Sequence, residues 1–448
     1  MASSATVNGE FTCACEDEAR AACVGEQRFG EFEEKEYCVL HLPSKKSAQE
    51  FHQAIKRKLE TSEAKLFDFR GVWFPEGTWF RQHHFTGNAN FAGATFNTKA
   101  SFNSAIFSGQ ADFSQVTFQA KANFNDATFE QDAAFSGARF LGVGDFINAT
   151  FAGKADFSYS DFCEAANFDT YFLSEVDFLY AFFRGEAYFR YAEFYAPVSF
   201  RSVTFQDYLR FGGEELGEGT SLDFQYARVH IPERVAFHSL RLRPHWFVNV
   251  DARRFDLINI DWDWPTLSIG AELKGLAEKK VATPHRLLAI TFQNLASNAE
   301  DNHRFEEASR FRYLSSELWR KNESHDSLTS LVGWLYWAAS GYGERMLRAC
   351  IVLAGIWLLF GALYSQVGFE RAKTKSPGES VSIQEQDEFG LPLRRGRALI
   401  YSLETMTLQK PDPRPLTAVA QMLVLVETIL GPVQAALLAL AIRRRFMR

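Results

Sequence analysis

The chain lacks an excess of positive charge: 48 Lys and Arg stand against 55 Asp and Glu, a net charge of −7, with an isoelectric point near 5.9. That balance gives no electrostatic footprint for nucleic acid, and no nucleic-acid partner is expected. Enzyme signatures are missing too: there is no Walker loop, no G-x-S-x-G, no H-E-x-x-H and no paired His on a helix face. Catalysis is therefore not expected, and no catalytic residue is assigned. Long apolar runs are absent until about residue 345, and no apolar signal-peptide core precedes the first cysteines. At 448 residues there is room for several domains.

What the chain has in abundance is phenylalanine, 44 residues of it, set on a clock. Phe69, Phe74, Phe80, Phe85, Phe91, Phe96 and Phe102 open a run at alternating intervals of five and six residues that continues to Phe168, slips at Phe172 and resumes to Phe211. On a helix, five steps turn about 140° and eleven about 20°, which would divide Phe between two opposed stripes. On a continuous strand, mixed odd and even spacings throw Phe onto both faces. A chain that turns a corner every five or six residues, and returns to the same position one layer on, satisfies both intervals. The residue two before each Phe is small, as at Ala89, Ala94, Ala100, Ala105 and Ala111, with a polar residue usually between.

The segments QADF, KANF, KADF and AANF resemble the pentapeptide-repeat family over residues 66–262. The resemblance implies a right-handed quadrilateral β-solenoid with four short faces per coil. An extra residue in every second unit departs from the family pattern and implies about 22 residues per coil in place of about 20. Gly212 to Thr220, GGEELGEGT, reads as a loop inserted between coils, and the slip at Phe172 reads as a kink. The ends of such a rod need protection.

Residues 1–50 gather Cys13, Cys15, Cys23, Cys38 and His41. Clustered cysteines in a reducing cytoplasm bind metal more readily than they form disulfides. A tetrahedral site needs four donors, and the best set is Cys23, Cys38 and His41 with either Cys13 or Cys15. Structural zinc is the expected cofactor. Cys163 and Cys350 stand alone and read as packing residues.

Thr283 and Pro284 open a helical coupler within residues 275–325, two amphipathic helices joined near Asn298 to Asn302. Residues 327–343, rich in Trp and Tyr, read as an interfacial helix. Two apolar spans follow, within 344–369 and 416–448, the second carrying one acid, Glu427. Arg345 and Arg348 precede the first span, and Arg443, Arg444, Arg445 and Arg448 follow the second. The positive-inside rule places both ends of the chain in the cytoplasm and the loop 370–396 outside the cell membrane. Between the spans, residues 397–415 contain an apolar helical stretch too short to cross, tolerated at membrane depth only where protein or water satisfies its backbone.

YSLETMT, Tyr401 to Thr407, is similar to the pore helix of two-transmembrane bacterial potassium channels, and the second span is similar to their inner helix. The resemblance covers about residues 330–448 and implies a homotetramer in a bacterial inner membrane, with Glu404, Thr405 and Thr407 in the pore helix and Gly431 and Pro432 at a hinge. Where that family has its Gly-rich filter, this chain has Leu408, Gln409, Lys410, Pro411 and Asp412. With no Gly there, and with Pro411 restricting Lys410, carbonyls cannot be aimed inward as a potassium filter requires. Rings of Lys410 and of Asp412 would favour opposite ion signs, and the sequence leaves open which faces the pore. Glu427 either lines the inner cavity or hydrogen-bonds to the pore helix; Gln434 is a candidate pore-lining residue.

The expected fold is thus mixed: a β-solenoid, an α-helical coupler and an α-helical two-span pore domain. The expected function is ion transport, weakly selective or anion-permeable, with lipid membrane and inorganic ions as partners and the solenoid as a regulatory part. The alternative is a membrane-anchored tetrameric scaffold whose solenoid binds a cytosolic protein.

Overall fold

The five- and six-residue intervals become, in the computed structural model, two kinds of corner. In nine five-residue units from Phe69 to Phe162, the residue two after the first Phe takes a left-handed conformation: Gly71, Gln82, Gly93, Ser104, Gln115, Asp126, Gly137, Asn148 and Tyr159, with φ between 55° and 67°. A tight turn follows, as where Ala105 N donates to Phe102 O at 3.0 Å. The six-residue units from Phe85 to Phe157 spend their additional residue instead of a positive φ. Only three of the nine left-handed positions are glycine, so most corners hold a side chain in a conformation that costs about 1–2 kcal/mol.

The structure describes residues 11–23, 26–44, 46–60, 66–75, 80–213, 216–217, 220–322, 327–369 and 391–446. It divides into two units, Met1–Asn298 and Ala299–Arg448.

In the first unit the corners separate four parallel sheets. Three have eight strands, running from Leu66–Asp68 to Leu222–Asp223, from Trp73–Phe74 to Arg228–Val229 and from Ala100–Ser101 to Asp256–Ile258; the fourth has six, from His84–Phe85 to Glu193–Phe194. Ala89 pairs with Ala111, Ala111 with Ala133 and Ala133 with Ala155, the 22-residue coil implied by the sequence. Every Phe of the clock is at most 1% exposed. From Phe69 to Phe189 each stacks on the Phe one coil ahead, at 4.8 Å for Phe102 on Phe124 and 4.9 Å for Phe113 on Phe135; Phe205 instead has Val229 one coil ahead. Across the core, Phe102 meets Phe113 edge to face at 5.2 Å.

The slip at Phe172 shortens one coil to 21 residues, with Thr150 paired to Tyr171 and Tyr171 to Glu193, and the fourth sheet runs through it unbroken. The corner at Asp169–Thr170 has no left-handed residue. The Thr170 hydroxyl is fully buried and donates to Phe146 O at 2.7 Å. Of the segment Gly212 to Thr220, Gly212 ends a strand of the third sheet and Gly217 N donates to Phe194 O at 2.9 Å, while residues 214–215 and 218–219 lie outside the described residues.

Both solenoid ends are covered. At the start, a hairpin of β1 (Arg28–Phe32) and β2 (Lys35–Cys38) precedes α1 (Ala48–Glu60), whose Phe51 meets Phe74 at 5.8 Å. At the other end α2 (Ile269–Glu278) buries Glu272, which accepts from His245 N at 2.9 Å and faces His245 Nδ1 at 2.7 Å. From α3 (Pro284–Asp301), Asn298 donates to Phe255 O at 2.7 Å and Ala252 O at 3.0 Å.

The second unit holds α4 (Phe305–Asn322), α5 (Ser327–Ser340), α6 (Met346–Tyr364), α7 (Arg395–Met406) and α8 (Ala418–Phe446). Helices α6 and α8 are long and apolar enough to cross a membrane. Three successive positive-φ residues, Gly341, Tyr342 and Gly343, separate α5 from α6, so the aromatic helix is not a continuation of the span. Most of the expected outer loop, residues 370–390, lies outside the described residues.

Gln115 sits exposed at a left-handed corner. Gln115→Gly should leave stability unchanged or raise it by up to about 1 kcal/mol, and Gln115→Val should lower it by about 1–2 kcal/mol. Thermal unfolding of the detergent-purified chain, followed by circular dichroism, measures both; equal stability of the two variants would contradict the corner geometry.

Candidate functional site

Two places bring together polar side chains that packing alone does not require. The first is the cysteine–histidine cluster at the start of the solenoid. Hairpin β1–β2 delivers Cys38, and the turn after it delivers His41, whose N–H donates to Cys38 O at 3.3 Å. A 3-10 segment, Asp17–Cys23, delivers Cys23. Cys13, Cys15, Cys23 and His41 offer ligand atoms all within 4.8 Å of one another, an arrangement that could hold a metal ion. Cys38 Sγ joins them, 3.8 Å from Cys13 Sγ, 3.8 Å from Cys23 Sγ and 3.2 Å from His41 Nδ1.

The groups of the cluster perturb one another's titration in opposite directions. Hydrogen bonds with Cys23 and Cys38 draw Cys13 well below the ordinary thiol range. The same contacts, led by the one with Cys13, push Cys23 far above it, and burial pushes Cys15 up to about 11. Burial disfavours a charged His41, but its hydrogen bonds with Cys13 and Cys38 outweigh this and lift it to about 9. Hydrogen bonding to Cys13 and Cys38 thus favours the protonated imidazole of His41. The other ring nitrogen, Nε2, lies 2.8 Å from Arg70 O in the first coil. That contact is the orienting bond a ligating histidine ordinarily has, and it leaves Nδ1 facing the thiols.

The second place is the hairpin of α6, α7 and α8. One face of α7, Ala398, Tyr401, Ser402 and Thr405, is at most 2% exposed, packed in a cluster with Phe360, Tyr364, Phe369 and Ala420. Close approach explains two glycines: a Cβ on Gly361 would lie 2.6 Å from Leu399, and one on Gly431 would lie 2.9 Å from Met406. Glu427 is fully buried and joins all three helices, since Tyr364 Oη donates to its Oε2 at 2.5 Å and the Ser402 hydroxyl donates to its Oε1. Of the two placements open for Glu427, the protomer has the hydrogen-bonded one.

Gln434 does not take the candidate pore-lining position. It is 3% exposed, and its amide donates to Ala339 O at 2.9 Å and Ala349 O at 3.0 Å, tying α8 to the end of α5 and the start of α6. Pro432 lies inside α8, which continues through it. Glu404 has its Oε1 3.6 Å from Arg397 on its own helix, while its Oε2 is buried without a partner.

Thr405 and Thr407 both donate to backbone of α7, to Tyr401 O and Leu403 O at 2.9 Å each. The helix ends with Leu408 at φ 60°, Leu408 N donating to Thr405 O and Gln409 N to Glu404 O. This is a glycine-type C-terminal turn made by leucine. Leu408, Gln409, Lys410 and Asp412 are exposed, with Pro411 half-buried. Arg397 holds this loop, donating to Asp412 O at 2.6 Å.

Sequence reasoning missed Arg397, Tyr364 and Ser402 as partners of the loop and of Glu427. A buried acid signals that hydroxyls or cations must converge on it, but not from which helix. It also missed Glu344, 3% exposed in its side chain, which receives Arg312 from α4 and Arg444 from α8, each at 2.9 Å.

A family model described as pentapeptide repeats (9 copies) matches residues 80–128 and 91–139. No curated protein and no solved structure matches the chain.

Glu427→Ala strands the Tyr364 hydroxyl, at about 1–3 kcal/mol for an unpaired buried group, and leaves the Ser402 hydroxyl only Trp357 O at 3.2 Å. Its midpoint in a detergent thermostability assay should fall well below that of Glu427→Gln, which keeps an acceptor in place. An alanine variant as heat-stable as the wild type would show that the buried acid does not hold the three helices.

Proposed function

We propose that the chain is a two-span membrane protein whose α6–α7–α8 hairpin forms, as a homotetramer, an ion-conducting pore under the control of a cytosolic solenoid. The observation that carries this reading is α7: a 12-residue helix, too short to span, whose buried face is satisfied by two membrane-length helices. A helix of that length survives at membrane depth only inside protein, and a span, a short helix and a second span are the layout of a pore subunit. Its C-terminal loop, Leu408 to Asp412, is held by Arg397 and is not committed to packing in the protomer. In a fourfold assembly Lys410 and Asp412 would form the charged rings nearest the outer mouth, and the loop lacks the Gly-rich backbone of a potassium filter. Glu344 supports the regulatory half: by binding Arg312 and Arg444 it links the cytosolic helix α4 to the inner end of α8.

The cysteine–histidine cluster is, on this reading, a structural zinc site. A tetrahedral zinc with bonds of about 2.3 Å to sulfur has S···S edges of about 3.8 Å. The separations of Cys38 from Cys13 and from Cys23 are both 3.8 Å. Cys13, Cys23, Cys38 and His41 are then the ligands. When bound, zinc would supply the positive charge these thiolates require and fasten the hairpin to the first coil.

Planar-bilayer recording of the purified chain tests the pore: unitary currents are expected, and Lys410→Glu should shift the reversal potential toward cations in a salt gradient. Silence under all ion and voltage conditions would favour a membrane-anchored scaffold. Elemental analysis tests the zinc: about one equivalent per chain is expected by the four-ligand count, lost in His41→Ala and in Cys38→Ser.

A further inference from the structure

The cluster has five soft donors, one more than a tetrahedral zinc takes. The two quartets are not equivalent. Cys13 and Cys38 are buried, and Cys38 N donates to Cys13 Sγ at 3.4 Å, a backbone bond of the kind that settles a ligating sulfur. Cys15 has no such bond. Its Sγ lies 3.4 Å from Cys23 Sγ, the shortest sulfur–sulfur separation among the described cysteines and shorter than a zinc tetrahedron's edge. Cys15 and Cys23 are also the two members of the cluster that are half-exposed. The surplus donor therefore sits beside one ligand, on the side open to solvent.

We infer that Cys15 and Cys23 form a peroxide-responsive pair that releases the zinc, an inference that rests on the zinc reading above. The Cys23 thiolate and the Cys15 thiol lose two electrons to one hydrogen peroxide. One S–S bond forms, the peroxide O–O bond breaks, the thiol proton goes to oxygen, and water and hydroxide leave. Zinc is then left with three of its four ligands, Cys13, Cys38 and His41, and when it leaves, the contact of His41 with Arg70 O loses its metal anchor. The buried Cys13 and Cys38 are shielded from the same oxidant, so the product is one defined disulfide. A reductant of the thioredoxin class, with zinc, reverses the step.

The test treats the full-length, detergent-purified, zinc-loaded chain with stoichiometric hydrogen peroxide. Released metal is read with a chromogenic chelator, and the disulfide by mass spectrometry of unreduced tryptic peptides. The expected result is loss of the bound zinc together with a peptide joining Cys15 to Cys23, both reversed by reductant and added zinc. Cys15→Ser should retain its zinc as purified and keep it under the same peroxide. Loss of zinc from untreated Cys15→Ser would make Cys15 a ligand and overturn the inference, as would a disulfide between other cysteines, or zinc retained by the oxidised wild type. A wild-type chain that carries no zinc as purified would overturn the zinc reading itself.

Discussion

The rest of the first unit depends on one coincidence of lengths. Parallel strands hydrogen-bond at about 4.7–4.9 Å, which is also a favourable separation for offset aromatic rings. A Phe one coil ahead therefore stacks without strain, and the backbone ladder and the ring ladder enforce the same register. Alternate Phe residues also meet the Phe half a coil on edge to face, as Phe102 does Phe113, and the hydroxyls buried in the coils, Ser160 and Thr170, are satisfied by the backbone oxygens of Phe157 and Phe146. Replacing any one ring would open a cavity for which neither ladder can compensate. Toward the last coils the stacking loosens, to 5.5 Å for Phe224 on Phe247 and 6.1 Å for Phe237 on Phe255. There the cover by α2 and α3 begins.

A solenoid with so uniform a core places its individuality at the corners and the ends. The left-handed corners tolerate Gln, Asp, Asn and Tyr because these are exposed, and Ser104 because it is small and half-exposed, with the stacked core fixing the corners from inside. At the first end, a hairpin with few buried apolar residues is fixed by sulfur and imidazole instead, which suits a segment too small to build its own core. The second unit solves a different problem: its two long apolar helices hold α7 through glycines at close approach and through hydrogen bonds that converge on Glu427.

The coil period, the membrane-length helices and the cysteine–histidine cluster were legible because each is a repeat, a run or a rare residue type, signals that survive without three-dimensional knowledge. The β1–β2 hairpin was not, since its turn places Glu33 and Glu34 at positive φ where Asn-Gly would advertise it. Helix α2 escaped notice because its buried Glu272 breaks the apolar pattern. Gln434 was misplaced for a related reason: a polar residue in a span signals that it must be satisfied, and backbone carbonyls of two neighbouring helices did so where water was expected.

Periodicity by itself determined that this chain coils, with what pitch and around which residues, since only one arrangement returns a Phe to the same place after five and then six residues. Composition by itself determined where apolar helices long enough for a membrane lie. Only the tertiary structure decided that Cys13 rather than Cys15 meets Cys38, that Glu427 joins three helices, and that Arg397 rather than Glu404 holds the loop after α7. Those pairings link residues far apart in the chain, and distance in space between such residues is set by packing, which no local pattern encodes.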